Sequence, residues 1–319
     1  MLRFFARRSL YGIFVLWVIS VAVFVLFFVA PHDPARLIAG RLANAQTIAA
    51  VRHRLGLDEP VLTQYGHFIW NLLHGNLGYS FYNSQSVNSI LAQRVPVTLS
   101  LVVGAAIIWV VTGVAIGTYS STHPRSLGDR GATAFVLTGI SMPTFLLGEL
   151  LIFFAFYQLH LAGVGVFPAG DYVGLTQDPV GWFQHLILPW LTLAFVTSAT
   201  YARLSRGSML DTLGEDYIRT AYAKGLRASR VVYRHGLRSA LTPVVTQFGI
   251  DFGTALGGVI ITETVFGLPG LGQIAVQSVT NQDLPVIIAI VMLASAFIVV
   301  ANIAVDVLYA VLDPRVRLS

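Results

Sequence analysis

Residues 284–309 read LPVIIAIVMLASAFIVVANIAVDVLY, and the only charge in that stretch is Asp306, three residues from its end. At 1.5 Å rise per residue, about 20 apolar residues in a helix cross the roughly 30 Å of a bilayer's hydrocarbon core. Working outward from this run, five more of the same kind stand at 10–30, 97–119, 132–161, 186–202 and 241–262. The whole chain agrees: 55% of its 319 residues are hydrophobic and 11% charged, against about 25% charged in ordinary soluble domains. The expectation is an all-α membrane protein with six transmembrane helices. The first run exceeds the apolar core of a secretory signal and has no A-x-A-like cleavage site after it, so it reads as a retained helix.

The basic residues set the expected orientation, because short cytoplasmic loops are enriched in Lys and Arg. Fifteen of the 20 stand before the first run (Arg3, Arg7, Arg8), between the second and third (Arg125, Arg130), in the eight-residue basic set from Arg203 to Arg238, and after the last run (Arg315, Arg317). The loops 162–185 and 263–283 have none. Both termini are therefore expected in the cytoplasm. Topology accounts for the net charge of +5, which leaves nothing for a nucleic-acid partner to explain.

Two loops exceed simple connectors. Segment 31–96 has an amphipathic stretch at 35–55, an aromatic stretch through Trp70 and a Gly75-Asn76-Leu77-Gly78 turn signal, which together predict an extracytoplasmic cap of short helices. The loop 203–240 is basic, helix-prone and interrupted by Gly225.

Several chemistries are excluded. The single lysine, Lys224, is not in a GxxxxGK[ST] loop, so this chain is not an ATPase. There is no cysteine, no HExxH, no histidine pair at metal-ligand spacing and no Gly-x-Ser-x-Gly elbow. No catalytic residue, metal site or cofactor is expected in the chain. An intramembrane enzyme lacks a candidate nucleophile.

Within 211–246, the residues predict a helix over 214–224, a stop at Gly225 in the left-handed region, and a second helix from about Ala228 towards the fifth run, whose start Pro243 marks. Two angled helices continuous with a span make a lever. A basic juxtamembrane hairpin that only sets topology and touches anionic lipid is the competing reading. Four carboxylates fall in or beside the apolar runs: Glu149, Asp251, Glu263 and Asp306. A carboxylate at depth faces a bundle interior or a water-filled cavity by default. Asp251, eight residues past Pro243 and so about 12 Å along a helix, is the deepest. It is the first pathway candidate, with Glu149 and Gln247 as further ones, while hydrogen bonding to a partner subunit, or protonation, is the competing reading. Pro143 predicts a kink in the third run. The segment Phe266-Gly267-Leu268-Pro269-Gly270 reads as irregular backbone at the outer interface, which makes Glu263, Phe266, Pro269 and Gly270 outer-rim candidates.

The Tyr217-Ile218-Arg219-Thr220-Ala221-Tyr222-Ala223-Lys224-Gly225-Leu226 segment resembles the coupling loop of ABC importer permeases, in the form used by the dipeptide and oligopeptide branch. It departs from the generic motif in having Arg219 for the glutamate and Thr220 for the first alanine. Further stretches resemble that branch in the same order: Leu55-Gly56-Leu57-Asp58-Glu59-Pro60, Gly75-Asn76-Leu77-Gly78, Ser141-Met142-Pro143-Thr144-Phe145, Glu263-Thr264-Val265-Phe266 and Leu312-Asp313-Pro314-Arg315. The long first outside segment resembles the first of the two permeases such systems use.

The resemblance implies a type I ABC importer permease fold in a bacterial inner membrane. It implies a second homologous permease, two ATP-binding subunits that bind ATP and Mg, an extracytoplasmic binding protein, and a peptide or related small cargo. It also implies an ATPase-docking role for Arg219, Thr220, Ala221, Ala223, Lys224, Gly225 and Leu226. On this reading 1–30 is the N-terminal tail with the first helix, 31–96 the outside segment, 97–310 the transmembrane core with the coupling loop, and 311–319 the C-terminal tail. A self-contained ion-coupled transporter or channel is the rival. The lever at 203–240 and the lack of a detectable internal repeat favour the importer permease.

Overall fold

A computed structural model describes residues 2–30, 34–39, 43–54, 56–80, 82–168 and 170–312. Leu55 and the Asp313-Pro314-Arg315 stretch lie outside the described residues. In chain order the helices are α1 (Leu2–Phe24, followed by a π-helical turn Val25–Val29), α2 (Pro34–Ala39), α3 (Ala45–Arg54) and α4 (Val61–Leu73). A two-residue hairpin pairs β1 (Tyr79–Ser80) with β2 (Gln85–Ser86), antiparallel, Tyr79 opposite Ser86. Then follow α5 (Val87–Thr122), α6 (Leu127–Ser141), α7 (Thr144–Leu151, continued by a π-helical stretch Ile152–Gln158) and α8 (Leu159–Leu161). The remainder comprises α9 (Pro179–Leu213), α10 (Asp216–Ala223), α11 (Ala228–Arg230, continued by a π-helical stretch Val231–Gly236), α12 (Leu237–Gly258), α13 (Ile260–Val265), α14 (Leu271–Asn281) and α15 (Leu284–Leu312).

Among the described residues, five helices are long and apolar enough to cross a membrane: Ala6–Val29, Val87–Thr122, Thr144–Leu161, Pro179–Leu213 and Leu284–Val307. The expected run 241–262 forms α12 and α13 but is less apolar, because Gln247, Asp251 and four glycines dilute it. The expected run 132–161 is two helices rather than one kinked helix. Met142 is extended (φ −89°, ψ 123°) and Pro143 stands at the cap of α7, so the chain breaks where the proline removes a backbone donor. Pro243, expected to start a span, lies inside α12, and the chain is helical from Ala228 to Gly258.

The chain divides into two compact units. The first comprises residues 1–98 and 269–303. Here α1 lies so close to α15 that a Cβ on Gly12 would stand 2.6 Å from a Val299 methyl. The predicted cap is helical, and α4 docks on α1 through a Ser20–Tyr65 hydroxyl contact of 2.8 Å and an aromatic group of Phe24, Phe28, Tyr65 and Phe68. The first turns of α5 bury Val87, Ile90 and Leu91 against Leu271, Ile274, Val286 and Ala289. The second unit comprises residues 99–268 and 304–319. Its α9 is the hub. Small residues let its neighbours approach, as membrane helices require when water supplies no hydrophobic drive between them. A Cβ on Gly117 of α5 would stand 2.5 Å from the Ala202 carbonyl oxygen, and one on Gly139 of α6 would stand 2.5 Å from the Ala199 Cβ. The ring of Trp190 occupies the space above Gly104 and donates its indole N–H to the Ser100 carbonyl at 2.9 Å.

Candidate functional site

The helix α10 is two turns long, too short to persist on its own. It is held from below: Ile218 and Ala221, three residues apart and therefore on one face, are buried against Val231 with Leu213 and Leu226 packed around them. Its start lies two residues later than the sequence suggests, because Glu215 is extended (φ −71°, ψ 148°) and stands at the N-cap position without a side-chain capping bond. Its end coincides with the predicted stop. Gly225 has φ +76°, and the amides of Gly225 and Leu226 return to the carbonyls of Tyr222 (2.9 Å) and Ala221 (3.4 Å), the signature of a left-handed helix terminus.

This packing sorts the seven loop candidates into two groups. Arg219, Thr220, Ala223, Lys224 and Gly225 are exposed, together with Tyr217 and Tyr222, and form the face offered outward. Ala221 and Leu226 point inward and anchor the helix. The Arg219–Asp216 pair, at 3.5 Å between two exposed side chains, contributes little to that anchoring.

Within the second unit, Asp251 is half-buried on α12 and accepts a 2.9 Å hydrogen bond from Gln247 Nε2 one turn earlier. The buried hydroxyl of Tyr201 on α9 lies in the field of its carboxylate without making a hydrogen bond that meets ordinary geometry. Asp251 and Gln247 thus form a hydrogen-bonded pair one turn apart on α12, while Glu149 is exposed on α7. Glu263 is fully buried on α13, and its carbonyl closes the following turn by accepting the Leu268 amide at 2.8 Å. Phe266 and Gly270 are buried and Pro269 half-buried.

Two polar clusters have no counterpart in the expectations. Asp129, at the start of α6, accepts from the Ser120 hydroxyl, from the Arg125 amide at 2.8 Å and from Arg206 Nε at 3.2 Å. Those donors, Ser120 foremost, hold its carboxyl down at about 2. Asp283, between α14 and α15, is buried and accepts from Ser80 and from Asn83 Nδ2 at 3.1 Å. Burial is the larger influence there and pushes its carboxyl up. Among the described residues, no group of three His, Cys, Asp or Glu side chains is placed to hold a metal. The arrangement is an exposed outer face on α10 and, elsewhere, buried polar clusters.

Comparison with known proteins places this geometry. Residues 110–318 match the family described as binding-protein-dependent transport system inner membrane component, and residues 1–102 match the N-terminal part of such membrane components. The probable peptide ABC transporter permease protein y4tP of Sinorhizobium fredii is 39% identical over 311 residues, 98% of each chain. The glutathione transport system permease protein GsiC of Salmonella choleraesuis is 42% identical over 317 residues, 99% of each chain. A putative peptide transport system permease of Brucella abortus is 38% identical over 311 residues, 98% of each chain. Among solved structures, the inward-facing MetNI methionine ABC transporter superposes with a TM-score of 0.53 at 20% identity, covering 70% of this chain and 96% of that one. That likeness establishes the type I ABC importer permease fold.

Proposed function

This chain belongs to the inner membrane components of binding-protein-dependent transport systems, the permeases of ABC importers, and from that membership we propose that it forms half of a translocation pathway for peptides or a related small cargo. The relatives named for peptide and glutathione transport, each matched along nearly its full length, support the cargo class. A second homologous permease completes the pathway, two ATP-binding subunits hydrolyse ATP, and an extracytoplasmic binding protein delivers cargo. Segment 31–96 and the 263–272 turn face outward, both termini face the cytoplasm, and 203–240 is the coupling loop. Glu149, Gln247 and Asp251 remain pathway candidates on this proposal, and Glu263, Phe266, Pro269 and Gly270 candidates for its outer rim.

One observation carries the coupling role. α10 is a short helix with an anchored inner face and an exposed outer face, stopped by Gly225 and followed at once by helix continuous from Ala228 to Gly258. A push on the outer face is therefore delivered along that helix, where Asp251 and Gln247 stand. The importer reading, unlike the ion-coupled one, gives this lever a driver.

The chain has no cysteine, so a single introduced one is a clean probe. Ala223→Cys, on the exposed face, is expected to crosslink to the ATP-binding subunit and to resist a membrane-impermeant thiol reagent added outside intact cells. Labelling from outside refutes both the topology and the docking role, and no crosslink in the assembled complex refutes the docking role.

A further inference from the structure

Asp129 has an ordinary duty as a helix-start residue. Ser126 caps α6 by accepting the Asp129 amide at 3.1 Å, and the Asp129 carboxylate accepts the Arg125 amide at 2.8 Å. Arg125 is held at φ +64°, a conformation that costs a non-glycine residue energy unless the surroundings enforce it. Capping alone does not explain the rest of the cluster. Ser120 belongs to α5 and Arg206 to the extension of α9 beyond its expected apolar run, and both converge on one carboxylate. Arg206 Nε also donates to Ser120 at 2.8 Å, so each of the three side chains contacts the other two.

The neighbours of this triangle lead to the coupling loop. Three residues past Arg206, Met209 is buried against Val232, Ala240, Leu213 and Leu237. Ser208 donates to the Ala240 carbonyl at 2.9 Å, and Leu213 is also part of the cluster that anchors α10. At mid-helix, packing suffices to join α6 to α9, through Gly139 on Ala199 and a Phe135–Phe195 edge contact. At the loop end, where Leu127 is exposed, the Asp129–Arg206 pair supplies a charge-assisted tie in addition to any packing.

Resting on the importer reading above, we infer that Ser120, Asp129 and Arg206 form a clamp that makes the loop ends of α5 and α6 move with the coupling helix, so that displacement of α10 is transmitted to three helices together. These are positioning residues, remote from cargo and nucleotide. A carboxylate held below its ordinary range stays ionised at physiological pH, so the clamp is not a pH switch.

The test uses the complete transporter in proteoliposomes, with spin labels on Leu127→Cys and Ser229→Cys, both exposed positions. Arg206→Met removes the tie and leaves the α6 cap intact; Arg206→Lys keeps the charge. In the unmodified complex the interlabel distance is expected to be narrow and unchanged between nucleotide-free and ATP-bound states. Arg206→Met is expected to broaden it and shift it on ATP binding, and Arg206→Lys to restore it. ATP hydrolysis by the complex should continue in Arg206→Met, while glutathione or tripeptide uptake per ATP falls about tenfold, the weight of one charge-assisted hydrogen bond. An unaltered distance in an assembled Arg206→Met complex, or equal loss of uptake and hydrolysis, overturns the clamp and leaves the importer reading standing. No ATP-dependent uptake of either probe by the unmodified complex, combined with no Ala223 crosslink, overturns the importer reading and the clamp with it.

Discussion

Gly225 offers the sharpest perturbation, because steric and conformational causes are separable there. Its φ of +76° is in the left-handed region, and a Cβ built on it would meet no atom within 4 Å. A Cβ at this position therefore introduces no clash, and the effect expected of substitutions here is the cost of that backbone conformation. For an L-residue this is roughly 1–2 kcal/mol, least for Asn, which visits the region readily, and greatest for a β-branched residue. The expected order of damage is Asn, then Ala, then Val. With Val at about 2 kcal/mol or more, the population holding the native helix stop falls about 30-fold relative to an alternative terminus. In that alternative the amides of residues 225 and 226 no longer reach the Tyr222 and Ala221 carbonyls. The seat of Ile218 and Ala221 on Val231 is lost with them. The assay is ATP hydrolysis and uptake by the reconstituted complex, alongside thermal unfolding of the purified permease. Gly225→Asn should retain most activity, Gly225→Ala should lose part, and Gly225→Val should lose transport while still inserting and assembling. Equal damage by Asn and Val, or normal transport by Val, refutes the reasoning.

Asp283 gives a pH prediction. Burial raises its folded-state carboxyl above the ordinary range, so its favourable contribution is present at acid pH, below the ordinary carboxylate range, and is lost as pH rises through its folded pKa. Asp283→Asn keeps an acceptor for Ser80 and Asn83, and should remove that slope. The difference in unfolding temperature between the two proteins should shrink on acidification, and a constant difference across pH refutes it. For Asp251, paired with Gln247 and beside Tyr201, Asp251→Asn should preserve assembly and reduce uptake of free-amine cargo more than neutral cargo. Complex yield and paired uptake measurements decide it, and collapse of the complex would assign the residue to an interface.

Five of the six apolar runs coincide, wholly or in part, with helices long and apolar enough to span a bilayer among the described residues, because a bilayer selects for length and apolarity, which are readable without partners. Their ends were not readable in the same way. α5 begins at Val87, ten residues before the apolar run, because Val87, Ile90 and Leu91 continue a helical stripe among polar residues. α9 likewise runs on to Leu213 with Ser205, Met209 and Thr212 buried at helical spacing beyond the apolar stretch. A count of apolar residues passes over both, while a periodicity count finds them. The hairpin at Tyr79–Ser86 carried no such signal, since two residues per strand are too few for alternation to register.

The site divides on the same principle of locality. The helix stop at Gly225 and the break before Pro143 are backbone events written in one or two residues, and both stand where those residues are. Which loop residues face inward depended on contacts made after folding. Ala221 belongs to the resemblance motif, yet its neighbour in space is Val231, ten positions on. The clamp is the extreme case: Ser126-x-x-Asp129 announces a capped helix, but nothing local to Asp129 indicates that an arginine 77 positions later completes its coordination. Arg206 reads in the sequence as one more positive-inside charge, and its pairing changes its meaning. A basic residue that only set topology would be replaceable by any other basic residue nearby, whereas one that closes a three-helix contact has a fixed position and fixed geometry. The loop therefore carries two codes on the same residue type, one of charge density for the membrane and one of position for the fold.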